Sequence, residues 1–278
     1  MKTILFPTDF SNNARSALNY ALEIANIFKS EIILFNSYPI PVYAADLPID
    51  MSVSQSIRTE SESNLKKLAE ELTTLHPNLK FTTASNWGFA SDEIITAAKD
   101  LCADIIIMGT KGASGIKKIL MGSNTSSVIA KAHCPILAIP EGINFTNFKN
   151  IAFATDCLDE ELLAVEYLCS WIKKFNSNLT LIHVADGILN HSFENTIVIR
   201  FKEKIEENLL LKNVEYDSID SPDFVKGITE FLLDGSFDLV VIAHHRHNFL
   251  EQLFNPSHAE KLSYKLALPL LMIPIEKK

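Results

Sequence analysis

The chain has 278 residues, of which 47% are hydrophobic and 21% charged, a composition typical of compact globular domains rather than disordered segments. Its formal net charge of −9 argues against binding to the phosphate backbone of nucleic acids, which requires a basic surface. No apolar run reaches the roughly 18 residues of a membrane span, so we expect a soluble cytoplasmic protein that acts away from membranes.

The first half of the sequence alternates short apolar runs with segments of helical periodicity. The apolar runs predict strands at Thr3–Pro7, Glu31–Asn36, Leu79–Ala84, Asp104–Met108 and Pro135–Ile139. The segments between them predict helices at Ala14–Phe28, Val53–Leu75, Ser91–Leu101 and Asn124–Lys131. Because the strands are apolar without polar alternation, we expect a parallel sheet that is covered by helices on both faces.

The second half of the sequence repeats the first. The motif at Ile4–Asp9 returns at Ile151–Asp156, and the strand pattern after it returns as well. The predicted strands are Ile151–Ala154, Leu179–Val184, Val214–Ile219, Leu239–Ile242 and Pro269–Ile273. Repeats of this length are whole domains, so we predict two α/β, Rossmann-like domains at residues 1–142 and 148–278, each with a five-stranded parallel sheet.

The residues after the fourth predicted strand suggest an anion-binding site. Ligands of an open parallel sheet bind beyond the carboxyl ends of its strands. Gly109 and Gly112 follow the fourth strand, and Gly122 and Ser123 precede the next helix. Glycines let a ligand approach the backbone closely, and the unpaired N–H groups of a helix N terminus attract phosphate. The hydroxyl groups of Ser123 and Thr125 add further donors.

This arrangement differs from two common nucleotide-binding motifs. It is not the G-x-x-x-x-G-K-[ST] loop, and no G-x-G-x-x-G turn follows the first strand. The sequence therefore lacks the marks of a Walker-type NTPase and of a dinucleotide-dependent dehydrogenase.

Together with the motif at Ile4–Asp9, the Gly-x2-Gly-x9-Gly-Ser pattern resembles the ATP-binding branch of the universal stress protein family. The resemblance covers nearly the whole chain and implies tandem domains of the adenine nucleotide alpha hydrolase-like fold, which act in stress response or signalling. It implies that the first domain binds ATP or AMP, with or without Mg²⁺. Asp9 would contact the adenosine, and the backbone of Asn36 would contact the adenine. The residues implied to bind the nucleotide are Pro7, Thr8, Asp9, Asn36, Met108, Gly109, Gly112, Gly122, Ser123, Asn124 and Thr125.

These residues also have a purely structural interpretation. Asp9 is a residue type that often caps a helix, and glycines are common in turns. The sequence shows no nucleophile paired with a base, so binding without catalysis is favoured. A slow ATPase and a pseudo-dimeric scaffold that binds no nucleotide stay open as alternatives.

The second half keeps Asp156 and Ser257, but its other motif positions have changed. Where the first half has glycines, it has Ala243, Arg246 and Pro256. Proline removes a backbone donor, and arginine places a bulky cation in space that a ligand would need. We therefore predict one nucleotide site in the chain, in the first half.

A histidine cluster at His244–His247, with His258 beyond it, is the remaining candidate for a metal site. Adjacent histidines of an extended segment point to opposite faces, and no cysteine or carboxylate has ligand spacing, so we predict no metal site.

The resemblance also implies how the two halves pack. They are expected to pair through their final strands, as the subunits of a universal stress homodimer do. The resemblance leaves undecided whether the whole chain also forms a homodimer. The long, proline-containing segment Tyr38–Ser54 is expected to form a flap over the site or an interface arm.

Overall fold

The computed structural model describes residues 1–39, 51–110, 122–185, 191–209, 211, 214–245 and 268–275. In the first half the strands are β1 Thr3–Pro7, β2 Glu31–Tyr38, β3 Phe81–Trp87, β4 Ile105–Gly109 and β5 Ile136–Ile139. The helices are α1 Asn12–Phe28, α2 Met51–Leu75, α3 Ala90–Asp100 and α4 Ser123–Lys131. Every predicted element of this half is therefore present, with its ends moved by a few residues at most.

The second half follows the same order. Its strands are β6 Asn150–Ala154, β7 Asn178–Ala185, β8 Val214–Asp220, β9 Leu239–His245 and β10 Leu270–Ile275. Its described helices are α5 Leu162–Phe175, α6 His191–Leu209 and α7 Phe224–Asp234, and a short 3₁₀ turn at Asp159–Glu161 precedes α5. Several predictions lie outside the described residues, namely those on Gly112, Arg246, His247, Pro256, Ser257, His258 and most of Tyr38–Ser54.

The strands form one ten-stranded sheet in the order β3-β2-β1-β4-β5-β10-β9-β6-β7-β8. Within each half all pairings are parallel, as predicted. The halves meet where β5 and β10 pair antiparallel, with Leu137 opposite Leu271. The predicted α/β fold class is confirmed, and the two predicted sheets are continuous with each other across this antiparallel pair. The division into domains 1–142 and 148–278 stays a prediction.

Burial follows position in the sheet. The inner strands are apolar on both faces, and β4 and β5 are buried over almost their whole length. The end strands β3 and β8 differ, because most of their residues are exposed or only half-buried. Both strands have a strand neighbour on only one side in the described sheet, which leaves more of their surface exposed.

An aromatic cluster packs the connection between the halves against both of them. Phe148, which precedes β6, is fully buried and lies 5.8 Å from Trp171 and 6.2 Å from Tyr20, measured between ring centroids. The Tyr20 hydroxyl donates to the carbonyl of Asn144 over 2.9 Å. One core thus continues from the first half into the second, since burying such rings removes large apolar areas from water. Within the described residues, no helix has the length and apolar character needed to cross a bilayer.

Candidate functional site

A cavity of about 330 Å³ opens at the carboxyl ends of β1, β2 and β4 in the first half. This is where an open parallel sheet places its ligand sites, because the helices diverge there. The N termini of α3 and α4 close two further sides. The lining residues are Pro7, Thr8, Asp9, Ala14, Phe35, Asn36, Ser37, Ala90, Ile94, Met108, Gly109, Gly122, Ser123, Asn124 and Thr125.

The turn between β1 and α1 forms one wall. Thr8 is buried, and its hydroxyl oxygen accepts the N–H of Phe10, a residue with a left-handed backbone (φ 61°). The Asp9 carboxylate is exposed at the cavity and accepts the N–H of Ser11 over 3.1 Å. Ser11, rather than Asp9, caps α1 by accepting the N–H of Ala14. The capping interpretation of Asp9 is therefore not the one observed.

Asn36 is held from two sides at the end of β2. Its side-chain amide donates to the carbonyl of Thr8 over 2.7 Å, and its amide oxygen accepts the hydroxyl of Ser61 over 2.7 Å. Ser61 belongs to α2 and is buried. Because both ends of the Asn36 amide already have protein partners, the side chain is a structural tie between β1, β2 and α2.

The start of α4 is tied to the end of β4. The Thr125 hydroxyl, which is buried, donates to the carbonyl of Gly109 over 2.9 Å. The N–H of Gly122, the N-cap residue, donates to the carbonyl of Thr110 over 2.6 Å. The two bonds hold the first turn of α4 beside the strand end. Its remaining N–H groups and the exposed Ser123 hydroxyl stand at the positive end of the helix dipole.

Gly109 is placed where the backbone of β4 passes close to α1. A Cβ atom at this position would lie 3.3 Å from the side chain and the carbonyl oxygen of Asn13. That spacing is tighter than an ordinary carbon contact, so the glycine allows the close approach of strand and helix at the cavity.

The opposite part of the cavity is apolar. Phe35, Ile94 and Met108 are almost fully buried and present hydrocarbon surface to it. Among the described lining residues, Asp9 is the one carboxylate, and no cluster of potential metal ligands is found in the described part of the chain. The cavity thus joins an apolar wall to a polar end with helix N–H groups.

The structure brings together all the predicted site residues that it describes. Gly112 lies outside the described residues. Sequence reasoning missed Ala14, Phe35, Ser37, Ala90 and Ile94, although Phe35 and Ser37 flank Asn36 and so share its strand end. Ser61 was missed as well, because its contact with Asn36 depends on how α2 packs and on no local pattern.

The corresponding place in the second half holds a buried carboxylate. Thr155 follows β6 as Thr8 follows β1, and Glu161 occupies the position that corresponds to Ala14. Glu161 is 2% exposed and accepts the hydroxyl of Thr155 and the N–H groups of Asp156 and Leu158. Burial raises the pKa of Glu161 to about 7, although the bond from Thr155 acts in the opposite direction.

Residues 1–140 match the sequence profile of the universal stress protein family. The chain belongs to this family. A universal stress protein of Methanocaldococcus jannaschii is 33% identical over 144 residues, which is 50% of this chain and 81% of that protein. A second universal stress protein of the same organism is 28% identical over 154 residues, covering 50% of this chain and 94% of the relative.

The likeness between solved universal stress proteins and this one extends over both halves. The crystal structure of a universal stress protein from Archaeoglobus fulgidus covers 99% of this chain and 97% of its own, with a TM-score of 0.76. Its sequence identity of 20% limits the likeness to the fold. The universal stress protein fold is therefore shown for the whole chain.

Proposed function

We propose that this universal stress protein binds one adenine nucleotide, ATP or AMP, in its first half and acts as a nucleotide-responsive binding module in stress response or signalling. The observation that carries the proposal is the cavity at the strand ends, which joins an apolar wall to the N terminus of α4. Its volume of about 330 Å³ lies within the usual range of small-molecule sites.

The two ends of the cavity suit the two ends of a nucleotide. Adenine is a flat, largely apolar ring, and Phe35, Ile94 and Met108 offer it a surface of the same character. The exposed Asp9 carboxylate can accept a ribose hydroxyl. The side chain of Asn36 is already bonded within the protein, and its backbone N–H and C=O groups point to β3 in the β2–β3 ladder. Asn36 is therefore not proposed to hydrogen-bond the adenine.

The phosphates would lie at the start of α4. The N–H groups of its first turn and the hydroxyl of Ser123 favour an anion. Gly109 lets the end of β4 lie close to α1 at this end of the cavity. A Mg²⁺ ion would be held mainly by phosphate oxygens and water, since Asp9 is the one carboxylate among the described lining residues.

The second half is proposed to bind no comparable nucleotide. At the positions of Ala14, Ala90 and Gly109 it carries larger residues, Glu161, Phe224 and Ala243. The Glu161 carboxyl group already accepts the donors at the end of β6, and its deprotonated form would repel a phosphate. One site per chain follows.

Native mass spectrometry of the purified chain, with ATP added, tests the proposal. We expect one adenine nucleotide per chain in the wild type and none in Gly122→Asp. Asp is a favourable N-cap residue, so the variant should fold while it places a negative charge beside the phosphates.

Gly122→Asn is the matched control, because Asn has nearly the shape of Asp and also caps helices well. It should keep clearly more binding than Gly122→Asp. A wild-type chain that stays free of nucleotide in millimolar ATP would contradict the proposal and favour the scaffold alternative. Two nucleotides per chain would contradict the assignment of a single site.

A further inference from the structure

The two ends of the ten-stranded sheet are β3 and β8, and they occupy corresponding places in the two halves. Each has a strand neighbour on one side only among the described residues. An end strand presents a row of backbone N–H and C=O groups that can pair with another strand, so natural proteins usually protect it with charges, proline or a bulge. The residues of each end strand therefore indicate whether that strand can pair with another chain.

The hydrogen bonds of β3 identify which backbone groups face outward. The N–H of Ile32 donates to the carbonyl of Lys80, and the N–H of Gly88 donates to the carbonyl of Tyr38. In a parallel pair this pattern turns the even-numbered residues of β3 toward β2. The odd-numbered residues, among them Thr83 and Ser85, therefore direct their N–H and C=O groups away from the sheet.

The two end strands differ in charge. β3 reads Phe-Thr-Thr-Ala-Ser-Asn-Trp and contains neither a charged residue nor a proline. β8 carries Glu215, Asp217 and Asp220. At its carboxyl end β3 exposes a large aromatic ring, since Trp87 is 58% exposed. The acidic residues of β8 thus disfavour pairing with another strand, whereas β3 has no charged residue that would do so.

One of the backbone groups that β3 directs away from the sheet already has a hydrogen-bond partner. The N–H of Trp87 donates to the side-chain oxygen of Asn86 over 3.1 Å, and the amide of Asn86 donates to Glu93. The centre of the strand, from Thr83 to Ser85, is the part that remains suited to a partner strand.

We propose that two copies of this chain pair antiparallel through β3, about a two-fold axis at Ala84. In that register Thr83 lies opposite Ser85 of the other copy, and both residues are of the outward-facing class, so they can exchange backbone hydrogen bonds. Phe81 then lies opposite Trp87, an aromatic cross-strand pair that covers the exposed ring.

The same operation at β8 is unfavourable. The residue of β8 that corresponds to Ala84 is Asp217, and a two-fold axis there would place it opposite its own copy. Like charges directly opposite each other destabilise a strand pair. The register therefore selects β3 over β8 as the edge that takes a second copy.

Proline at position 85 tests the proposal with little disturbance of the fold. Ser85 directs its N–H away from β2, so Ser85→Pro deletes an outward donor and leaves the β2–β3 hydrogen bonds in place. The matched control is Ser218→Pro in β8. The N–H of Ser221 donates to the carbonyl of Ala185 there, which gives Ser218 the same outward direction.

The measurement is the mass of the full chain in solution over a series of concentrations. We expect the wild type and Ser218→Pro to reach twice the chain mass of 31.1 kDa. Ser85→Pro should raise the dissociation constant of the dimer by about tenfold or more. A wild type that stays at 31.1 kDa, or a Ser85→Pro variant that dimerises as well as the wild type, would overturn the proposal.

Thr83→Lys is a second variant that does not touch the backbone. Lysine on an end strand opposes pairing and is well tolerated at an exposed position. It should weaken the dimer as Ser85→Pro does, with an unchanged circular dichroism spectrum. If both β3 variants fold and dimerise normally, another surface forms the dimer and the assignment to β3 is wrong.

Discussion

The strand ends of the two halves share the hydrogen bonds of their threonines but differ in the residues beside them. In the first half the N–H of Phe10 donates to the hydroxyl of Thr8 over 3.0 Å, and in the second the N–H of Cys157 donates to the hydroxyl of Thr155 over 2.8 Å. Both turns pass through a left-handed residue at the same place.

The tie across the first two strands is kept as well. Asn36 bonds the carbonyl of Thr8 over 2.7 Å, and Nδ1 of His183 lies 2.9 Å from the carbonyl of Thr155. A residue change from amide to imidazole thus preserves one contact. The comparison teaches that the hydrogen bonds of a strand end can persist although the residues beside it differ in size and charge.

The largest effect on nucleotide affinity is expected from replacing Ala14 by the residue that the second half has at this position. Ala14→Glu gives the first half the carboxyl side chain of the second. We expect nucleotide affinity to fall by about 1,000-fold, or ~4 kcal/mol, because the longer side chain fills part of the cavity that Ala14 lines and repels the phosphates when it is deprotonated. Isothermal titration measures the loss.

Ser11 followed three residues later by Glu forms a capping box at the start of α1, which should offset part of the cost of a carboxyl group at this buried position. Glu161→Ala is the control and should leave the affinity of the first half unchanged. Normal binding by a folded Ala14→Glu variant would contradict the proposed role of this position.

A second effect is expected on the free energy of unfolding, and its source is Glu161 in the second half. The pKa of Glu161 is raised from 4.5 to about 7 in the folded chain. The folded state therefore holds the proton more tightly than the unfolded state, so the free energy of unfolding should fall between about pH 4.5 and pH 7 and then stay constant. The decrease attributable to Glu161 is about 3 kcal/mol.

Urea unfolding on either side of this pH window, for wild type and Glu161→Gln, measures the contribution. The variant should lack this part of the decrease, since glutamine does not titrate. Equal pH dependence in the two proteins would show that burial of Glu161 costs less than the structure indicates.

The smallest effect is expected at Gly109. In Gly109→Ala the new methyl group lies 3.3 Å from Asn13, so strand and helix must separate by a few tenths of an ångström. We expect nucleotide binding to weaken by about threefold, or less than ~1 kcal/mol. The reciprocal change Ala243→Gly should create no binding in the second half, because Glu161 still binds the donors at the end of β6. Binding gained by that variant would show that the glycine alone decides.

Much of the fold was predictable because the inner strands are uniformly apolar. β1 has the predicted bounds, and α1 begins two residues before its predicted start because Ser11 caps it. The end strands were harder to place. β3 begins at Phe81 rather than Leu79 and continues to Trp87, since a polar end strand is defined by pairing with β2 and not by its own hydrophobicity.

The site was predictable to the extent that its residues follow strands. Thr8, Asp9 and Met108 lie at strand ends, and Gly122 precedes a helix, so their convergence follows from the parallel topology. The contribution of Ser61 was not predictable, since it reaches Asn36 from a different layer of the fold.

The antiparallel pairing of β5 with β10 within one chain makes formation of the continuous sheet independent of the protein's concentration. Two separate chains that met through such strands would associate only above a threshold concentration. Here the strands belong to one polypeptide, and the connection between them is held by Phe148 and its aromatic neighbours. The effective concentration of one half for the other is therefore set by this tether, and the continuous sheet should form equally well whether the protein is scarce or plentiful.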